Sequence, residues 1–264
     1  MNPAISFIFV NYQSADLLRS SLASLRAVVD TQINAEYIVI NNDLREREAL
    51  ERLAAHAPGL RVAHQECNLG FGVANNFGGQ LATGDILFFI NPDTELLGGH
   101  FPSLIKAFEF RPRAIYGMAL MQSDGRRECW SAGRFPGLWR VCISNIIPMF
   151  LSQPWRATTV TRTDWVSGAA CAIRRDYFLS LGGFDPTFFL YFEDVDLARR
   201  ATLQGAWVGV YPFIVFRHAG GQSHGSQKAK KSAYYAGQRR YFERWRPGYE
   251  RRLLAAAHKL ADTF

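Results

Sequence analysis

Asp85-Ile-Leu-Phe-Phe-Ile-Asn-Pro-Asp93-Thr-Glu95 is an apolar run the length of one strand that stops abruptly in a turn carrying acid groups. An apolar run bounded by turn residues suits a strand covered on both faces, and open α/β sheets bind ligands beyond the carboxyl ends of their strands. The sequence therefore places the Asp93 carboxylate at the mouth of a sheet. A hard carboxylate oxygen there can hold Mg²⁺ or Mn²⁺, which reach proteins through one or two carboxylates plus substrate phosphates. In the alternative, Asp93 caps local backbone donors in an Asx-type turn.

Upstream, residues 5–10 read as a first strand, and Leu17, Leu18, Leu22, Leu25 and Val29 mark a helix over 14–29 by their helical period. Residues 37–40 are a second strand followed by the polar turn Asn41-Asn42-Asp43, then a charged amphipathic helix over 45–55 and a short third strand over 61–64. The stretch from Asn68 opens a helix that runs to about Ala82 and is ended by Gly84. Alternating strands and helices of this length predict an α/β chain with a mainly parallel sheet and helices on both faces. Downstream, residues 123–163 break the rhythm and read as variable loops and short helices. Residues 166–173 are again strand-like, 175–181 a short helix, and Gly182-Gly-Phe-Asp-Pro186 a turn. A helix from Glu193 and Asp194 to about Gln204 and a last strand over 207–211 follow.

With 264 residues, 48% of them hydrophobic, the chain can bury a substantial core without staples. Cys67, Cys129, Cys142 and Cys171 are widely spaced with no Cys-x-x-Cys pair, which predicts neither a zinc cluster nor a disulfide framework and leaves a reducing cytoplasm as the expected setting. The first apolar stretch has no basic leader and is strand-sized, and residues 141–151 are far shorter than the roughly 20 needed to span a bilayer. Net charge is +7, and residues 217–252 alone hold ten Lys or Arg against Glu243 and Glu250, so the rest of the chain is near neutral. That basic segment, interleaved with Tyr and Trp, suits an anionic membrane surface, a phosphorylated substrate or nucleic acid, or is simply a solvated helical face.

Asn68-Leu-Gly-Phe71, Ala74-Asn-Asn76, Asn91-Pro-Asp93, Gly182-Gly-Phe-Asp185, Phe192-Glu-Asp-Val-Asp-Leu197 and His218 form an ordered set that resembles family 2 glycosyltransferases, notably bacterial rhamnosyltransferase-like members. The resemblance runs from about Ile5 to His218. It implies a GT-A (Rossmann-like nucleotide-binding) fold, a nucleotide-sugar donor, a divalent cation and transfer with inversion. By position, Asp93 matches the last carboxylate of the family's Asp-x-Asp motif, with Asn91 in place of the first acid, and His218 matches the histidine that completes the metal shell in several relatives; a satisfied structural histidine is the plain alternative. Asp194 resembles the catalytic base, which must accept the proton of an acceptor hydroxyl as it attacks the anomeric carbon. Glu193 would sit beside the acceptor or orient Asp194, and both could instead be simple helix N-terminal acids. Asn41 stands where the family has an acid contacting the nucleotide base, Asp43 supplies an acid two residues on, and an amide can still pair with uracil or thymine. Asn11, Tyr12, Asn68, Gly70, Asn75 and Asn91 would line the same pocket, Gly70 allowing close backbone approach, with turn and cap chemistry as the alternative for Asn68 and Asn75. Trp165 and Gly168 are expected on the acceptor side.

The expected organisation is a glycosyltransferase domain over 1–216, with a nucleotide-sugar half to about 97 and an acceptor half from about 98, followed by a basic aromatic helical segment over 217–264. The expected activity moves a sugar, rhamnose from dTDP-rhamnose or another sugar from a UDP donor, onto a glycan or lipid-linked glycan in bacterial surface polysaccharide synthesis, in the cytoplasm or on the inner membrane face. A dehydrogenase is disfavoured because Asn11-Tyr-Gln-Ser stands where Gly-x-Gly-x-x-Gly would follow the first strand. A nucleic-acid binder acting through the basic end lacks any reading motif, so no nucleic-acid partner is expected. A catalytically silent relative would not need Asp93, Asp194 and His218 together.

Overall fold

The structure is a computed structural model that describes residues 4–129, 131–141, 153–220 and 227–261. Trp130 and most of the expected loop over 141–151, Cys142 included, lie outside the described residues. Strand β1 (Ile5–Asn11) is followed by helix α1 (Ala15–Val29), and β2 (Ala35–Asn41) by a 3₁₀ turn (Leu44–Glu46) and helix α2 (Arg47–His56). Then come β3 (Leu60–His64), α3 (Phe71–Leu81) and β4 (Ile86–Ile90). These strands lie in the order β3-β2-β1-β4, all parallel, as right-handed βαβ units require. Every residue of β1 and of β4 is buried, which is why both read as unbroken apolar runs.

Beyond β4 the chain builds the second half of the sheet. No element was expected between Glu95 and Gln122, and the structure places three there: β5 (Thr94–Gly99), α4 (Phe101–Phe110) and β6 (Ala114–Met121). The helix is marked only by Pro102 in its first turn and by the cap at His100, whose Nδ1 accepts from the Ser103 N–H. After β7 (Ala132–Gly133) and β8 (Thr161–Arg162), the strand-like stretch over 166–173 is split into β9 (Trp165–Val166) and β10 (Ala170–Arg174). The split has a physical cause: at Ser167 and Gly168 the backbone N–H groups leave the ladder, donating to the Ser131 carbonyl and the Asp194 carboxylate. Helix α5 (Arg175–Ser180) and helix α6 (Glu193–Leu203) precede β11, which runs Trp207–His218 rather than stopping at Tyr211. Pro212 falls where the register shifts between Tyr211 and Val215, so the strand continues past a bulge at the one residue that cannot donate to the ladder.

The whole sheet is therefore mixed, in the order β3-β2-β1-β4-β10-β6-β11-β5, with β8 also on β11. Strand β10 runs antiparallel between β4 and β6, β6 and β11 are parallel, and β5 is antiparallel to β11. Alternate residues of each strand feed separate cores. Phe7, Phe9, Phe88 and Phe216 pack with Leu18, Leu22 and Phe101 on one face, while Ile8, Leu87, Phe89 and Ile173 pack with Phe178, Phe184 and Leu197 on the other. A third cluster joins Phe188, Phe192 and Val195 to Tyr241, Phe242 and Leu254. These last belong to helices α7 (Gln227–Trp245) and α8 (Gly248–Ala261), separated at Pro247. Among the described residues, no helix is long and apolar enough to cross a membrane.

Candidate active site

Sheet register brings Asp93 and His218 together. Asp93 immediately precedes β5, His218 ends β11, and Thr94 stands opposite His218 in that antiparallel pair. His218 Nε2 lies 3.3 Å from Asp93 Oδ1, and its Nδ1 lies 2.7 Å from Glu128 Oε2. The Asp93 carboxylate thus pairs with a side chain across the sheet instead of serving a local Asx turn. Burial alone would lower the imidazole pKa, but the hydrogen bonds to Asp93 and Glu128, reinforced by their charges, raise it to about 10. The two acidic side chains thus favour the protonated form of this half-buried imidazole.

Asp93 and His218 carry donor atoms of the kinds that divalent ions accept, and Glu128 stands at the other ring nitrogen as outer carboxylates do for metal-bound histidines; an ion here would replace the proton that His218 Nε2 shares with Asp93. Among the described residues no three His, Cys, Asp or Glu side chains gather as a ligand set, so such an ion would take its remaining ligands from water and phosphate oxygens. Glu128 was missed by sequence reasoning; it reaches the site through the Met121–Arg127 bridge at the end of β6, which no sequence pattern announces.

Glu193 and Asp194 open α6 after a turn in which Tyr191 (φ 69°) and Phe192 (φ 71°) both adopt left-handed conformations. Such strain costs about 1–3 kcal/mol per residue and persists only where packing over-determines it. Asp194 Oδ2 accepts from the Gly168 N–H at 2.9 Å, and Oδ1 from the Val195 N–H at 2.8 Å. Burial raises the Asp194 pKa and these bonds oppose it. Glu193 is pushed well above its ordinary value by burial and then by the neighbouring Asp194 charge, and its Oε2 has no hydrogen-bond partner among the described residues. The two acids titrate as a pair: burial raises both, and Glu193, the more buried of the two, is raised further. Asn91, Trp165, Gly168, Glu193, Asp194 and His218 line one cavity of about 590 Å³. Tyr234 and Gln238 of α7 also face it, as sequence reasoning did not foresee.

Asp93 and the other expected residues are not on that cavity's wall: Asn11, Tyr12, Asn41 and Asp43 lie at the carboxyl ends of β1 and β2, and Asn68, Gly70 and Asn75 at or in the start of α3. Asn11 and Asn41 are fully buried and bonded to each other at 3.0 Å; Asn11 also bonds Glu46 and Ser14, and Asn41 bonds the Asp43 carbonyl and His64. Glu46, also missed, accepts from the Ser14 and Ala15 N–H groups at the start of α1. Asp43 is held below its ordinary pKa by the hydrogen bonds of Arg45, and Tyr12, in the bend after β1, is half-buried. Asn68 accepts from the Gly70 N–H and from Asn42, while Asn75 is buried in α3 and donates to the Phe71 carbonyl. Asn42 was missed although it stands in the quoted Asn-Asn-Asp run; its buried Oδ1 has no partner. At Gly70 (φ 81°) the group that comes close is the protein's own Phe189 carbonyl, where a ligand was expected.

The sequence model described as "Glycosyl transferase family 2" matches residues 6–181. The chain belongs to glycosyl transferase family 2. Among curated members, it is similar to N-acetylglucosaminyl-diphospho-decaprenol L-rhamnosyltransferase of Mycobacterium tuberculosis, at 28% identity over 80% of this chain and 74% of that one. It is similar to rhamnosyltransferase WbbL of Escherichia coli K12 at 24% identity over 79% of this chain and 80% of that one. Among solved structures it resembles GalNAc-T7 with UDP, GalNAc and Mn²⁺, with a TM-score of 0.70 at 16% identity over 94% of this chain. It also resembles the Pyrobaculum calidifontis mannosyltransferase PcManGT with GDP-Man and Mn²⁺, with a TM-score of 0.61 at 17% identity over 92% of this chain. This chain spans 49% of the first structure and 64% of the second. The family's GT-A fold, expected from the motifs, is the fold found here.

Proposed function

We propose that this chain is an inverting, cation-assisted glycosyltransferase that moves rhamnose from dTDP-rhamnose onto a glycan or lipid-linked glycan of a bacterial cell-envelope polysaccharide, a UDP-sugar being the alternative donor. The observation that carries the reading is the placement of Asp194 and His218 on the walls of one cavity. Asp194 receives the proton of the acceptor hydroxyl while that oxygen bonds to the anomeric carbon; the carbon–oxygen bond to the nucleoside diphosphate breaks and its electron pair leaves with the diphosphate. The Gly168 N–H holds the Asp194 carboxylate during this transfer, and protonated Glu193 is left to donate a hydrogen bond to a sugar oxygen. Asp93 and His218 would hold Mg²⁺ or Mn²⁺, which when bound offsets the charge developing on the departing diphosphate. Rhamnose is supported by the names of the curated relatives.

The test is thermal shift against UDP, dTDP, GDP and their sugar conjugates with Mn²⁺, Mg²⁺ or EDTA, since a ligand of the native state raises Tm by mass action. Cation-dependent stabilisation by dTDP-rhamnose supports the whole reading; selectivity for a UDP-sugar changes the donor, and no stabilisation by any nucleotide overturns it. A purely anion-binding role for the C-terminal segment is weakened because some of its cations are paired within the protein, Arg244 with Asp185 and Arg246 with Glu250. Exposed Arg251 and Arg252, beside exposed Tyr249 and Leu253 on α8, support peripheral attachment to an anionic leaflet. Sedimentation with phosphatidylglycerol vesicles tests it, and Arg251→Gln/Arg252→Gln should weaken binding.

A further inference from the structure

Helix α7 packs directly on the turn that aims Glu193 and Asp194. Gly237 abuts the Tyr191 carbonyl so closely that a Cβ there would overlap its oxygen and lie 3.1 Å from its carbon. The Phe192 ring sits 5.3 Å from Tyr234 and 5.7 Å from Tyr241, both on α7. Asp196, two residues beyond Asp194, has no exposed surface. Its Oδ2 accepts from Arg200 Nε at 2.7 Å, and its Oδ1 from Trp245 Nε1 at 2.8 Å, with Arg244 Nε at 3.5 Å. Arg200 in turn donates to the Leu181 and Gly183 carbonyls, each at 2.7 Å. One buried carboxylate thus joins α6 to the last turn of α7 and to the loop after α5. Because a helix backbone is stiff over two residues, displacing that carboxylate displaces Asp194.

We propose that Asp196 and Trp245 are positioning residues for Asp194, with α7 acting as a strut that holds Tyr191 and Phe192 in their left-handed conformations; the positioning role rests on the transferase reading above. The strut explains how two non-glycine residues keep positive φ side by side: the rings of Phe192, Tyr234 and Tyr241 and the close approach at Gly237 leave the turn no other packing.

Trp245→Phe keeps an aromatic ring for Arg199 and Arg244 to stack on and removes the indole N–H together with its five-membered ring. Expected is a fall in kcat on the order of ten- to a hundredfold, the scale of a misplacement of about 1 Å, with KM for the nucleotide-sugar unchanged. Amide hydrogen exchange should quicken across residues 188–195 while β1 and β4 keep their protection. A wild-type kcat, a donor KM that rises as much as kcat falls, or unchanged exchange over 188–195 would overturn the proposal. Exchange needs no substrate, so if the wild-type chain transfers no sugar the transferase reading fails while the exchange result still decides for or against the strut.

Discussion

Replacing Gly70 with alanine should cost this protein much of its stability. Two penalties add at this position. Gly70 has φ 81° and ψ 177°, a region essentially reserved for glycine, where a side chain costs about 1–3 kcal/mol. The new Cβ would also overlap the Phe189 carbonyl oxygen and lie 2.9 Å from Phe189 Cδ2. That carbonyl is fixed by the Phe71 N–H at 2.9 Å, so it has little room to move, and such overpacking costs about 1–3 kcal/mol. The sum, about 2–6 kcal/mol, is large against a whole-domain stability of about 5–15 kcal/mol and corresponds to a Tm decrease of roughly 4–24 °C. Gly59→Ala is the internal control: its φ is 79° but nothing lies within 4 Å of the added Cβ, so only backbone strain of about 1–2 kcal/mol remains. Urea unfolding of both variants gives the comparison. If Gly70→Ala loses no more than Gly59→Ala, the tight contact between the Gly70 loop and the Phe189 turn is not what requires glycine there.

Asp194→Asn should reduce transfer by roughly 10²–10⁴, the usual contribution of a positioned base, and leave nucleotide affinity intact; single-turnover transfer and calorimetry check the two halves. Transfer should rise with pH through an inflection above the ordinary aspartate value, because burial raises the Asp194 pKa and only the ionised form accepts a proton. Stability should move the other way. Glu193 has a folded pKa above its unfolded one, so its contribution is full below the unfolded value and is lost as pH rises through the folded one. Glu193→Gln should accordingly flatten the decline in stability expected as pH rises above the ordinary glutamate range, read from unfolding curves, and a wild-type slope in that variant would contradict the buried-acid assignment. Asp93→Ala and His218→Ala should each abolish the difference in nucleotide affinity between Mn²⁺ and EDTA, measured by titration; a difference that survives both changes would remove the pair from cation binding.

Much of the first half of the chain was legible because its signals are local. The run 86–90 is a fully buried strand, and its abrupt end puts Asp93 at the carboxyl edge of the sheet. The motif Phe192-Glu193-Asp194 likewise marks a helix start without any knowledge of its neighbours. What stayed hidden depends on distant partners. Arg244 and Trp245 read as members of a basic, solvated helix, yet they meet Asp185 and Asp196 from 59 and 49 residues away. Asn11 and Asn41 could be placed at the strand ends, but that each would exhaust its side chain on the other and on Glu46 or His64 follows only from the parallel pairing of β1 and β2. Strand β5 escaped notice because Leu97 faces out and two glycines close it, leaving little apolar alternation.

The Thr94–His218 pairing means that the spacing between Asp93 and His218 is set by hydrogen-bond register in the sheet and by no loop. A slip of one residue would turn His218 to the opposite face and separate it from its partner. The cavity's other wall, built from Arg134, Pro136, Arg140 and Trp155, belongs to connecting segments that the register does not constrain. The two walls of one cavity thus rest on different constraints, so changes at Arg134, Pro136, Arg140 or Trp155 can reshape it while leaving the Asp93–His218 spacing untouched.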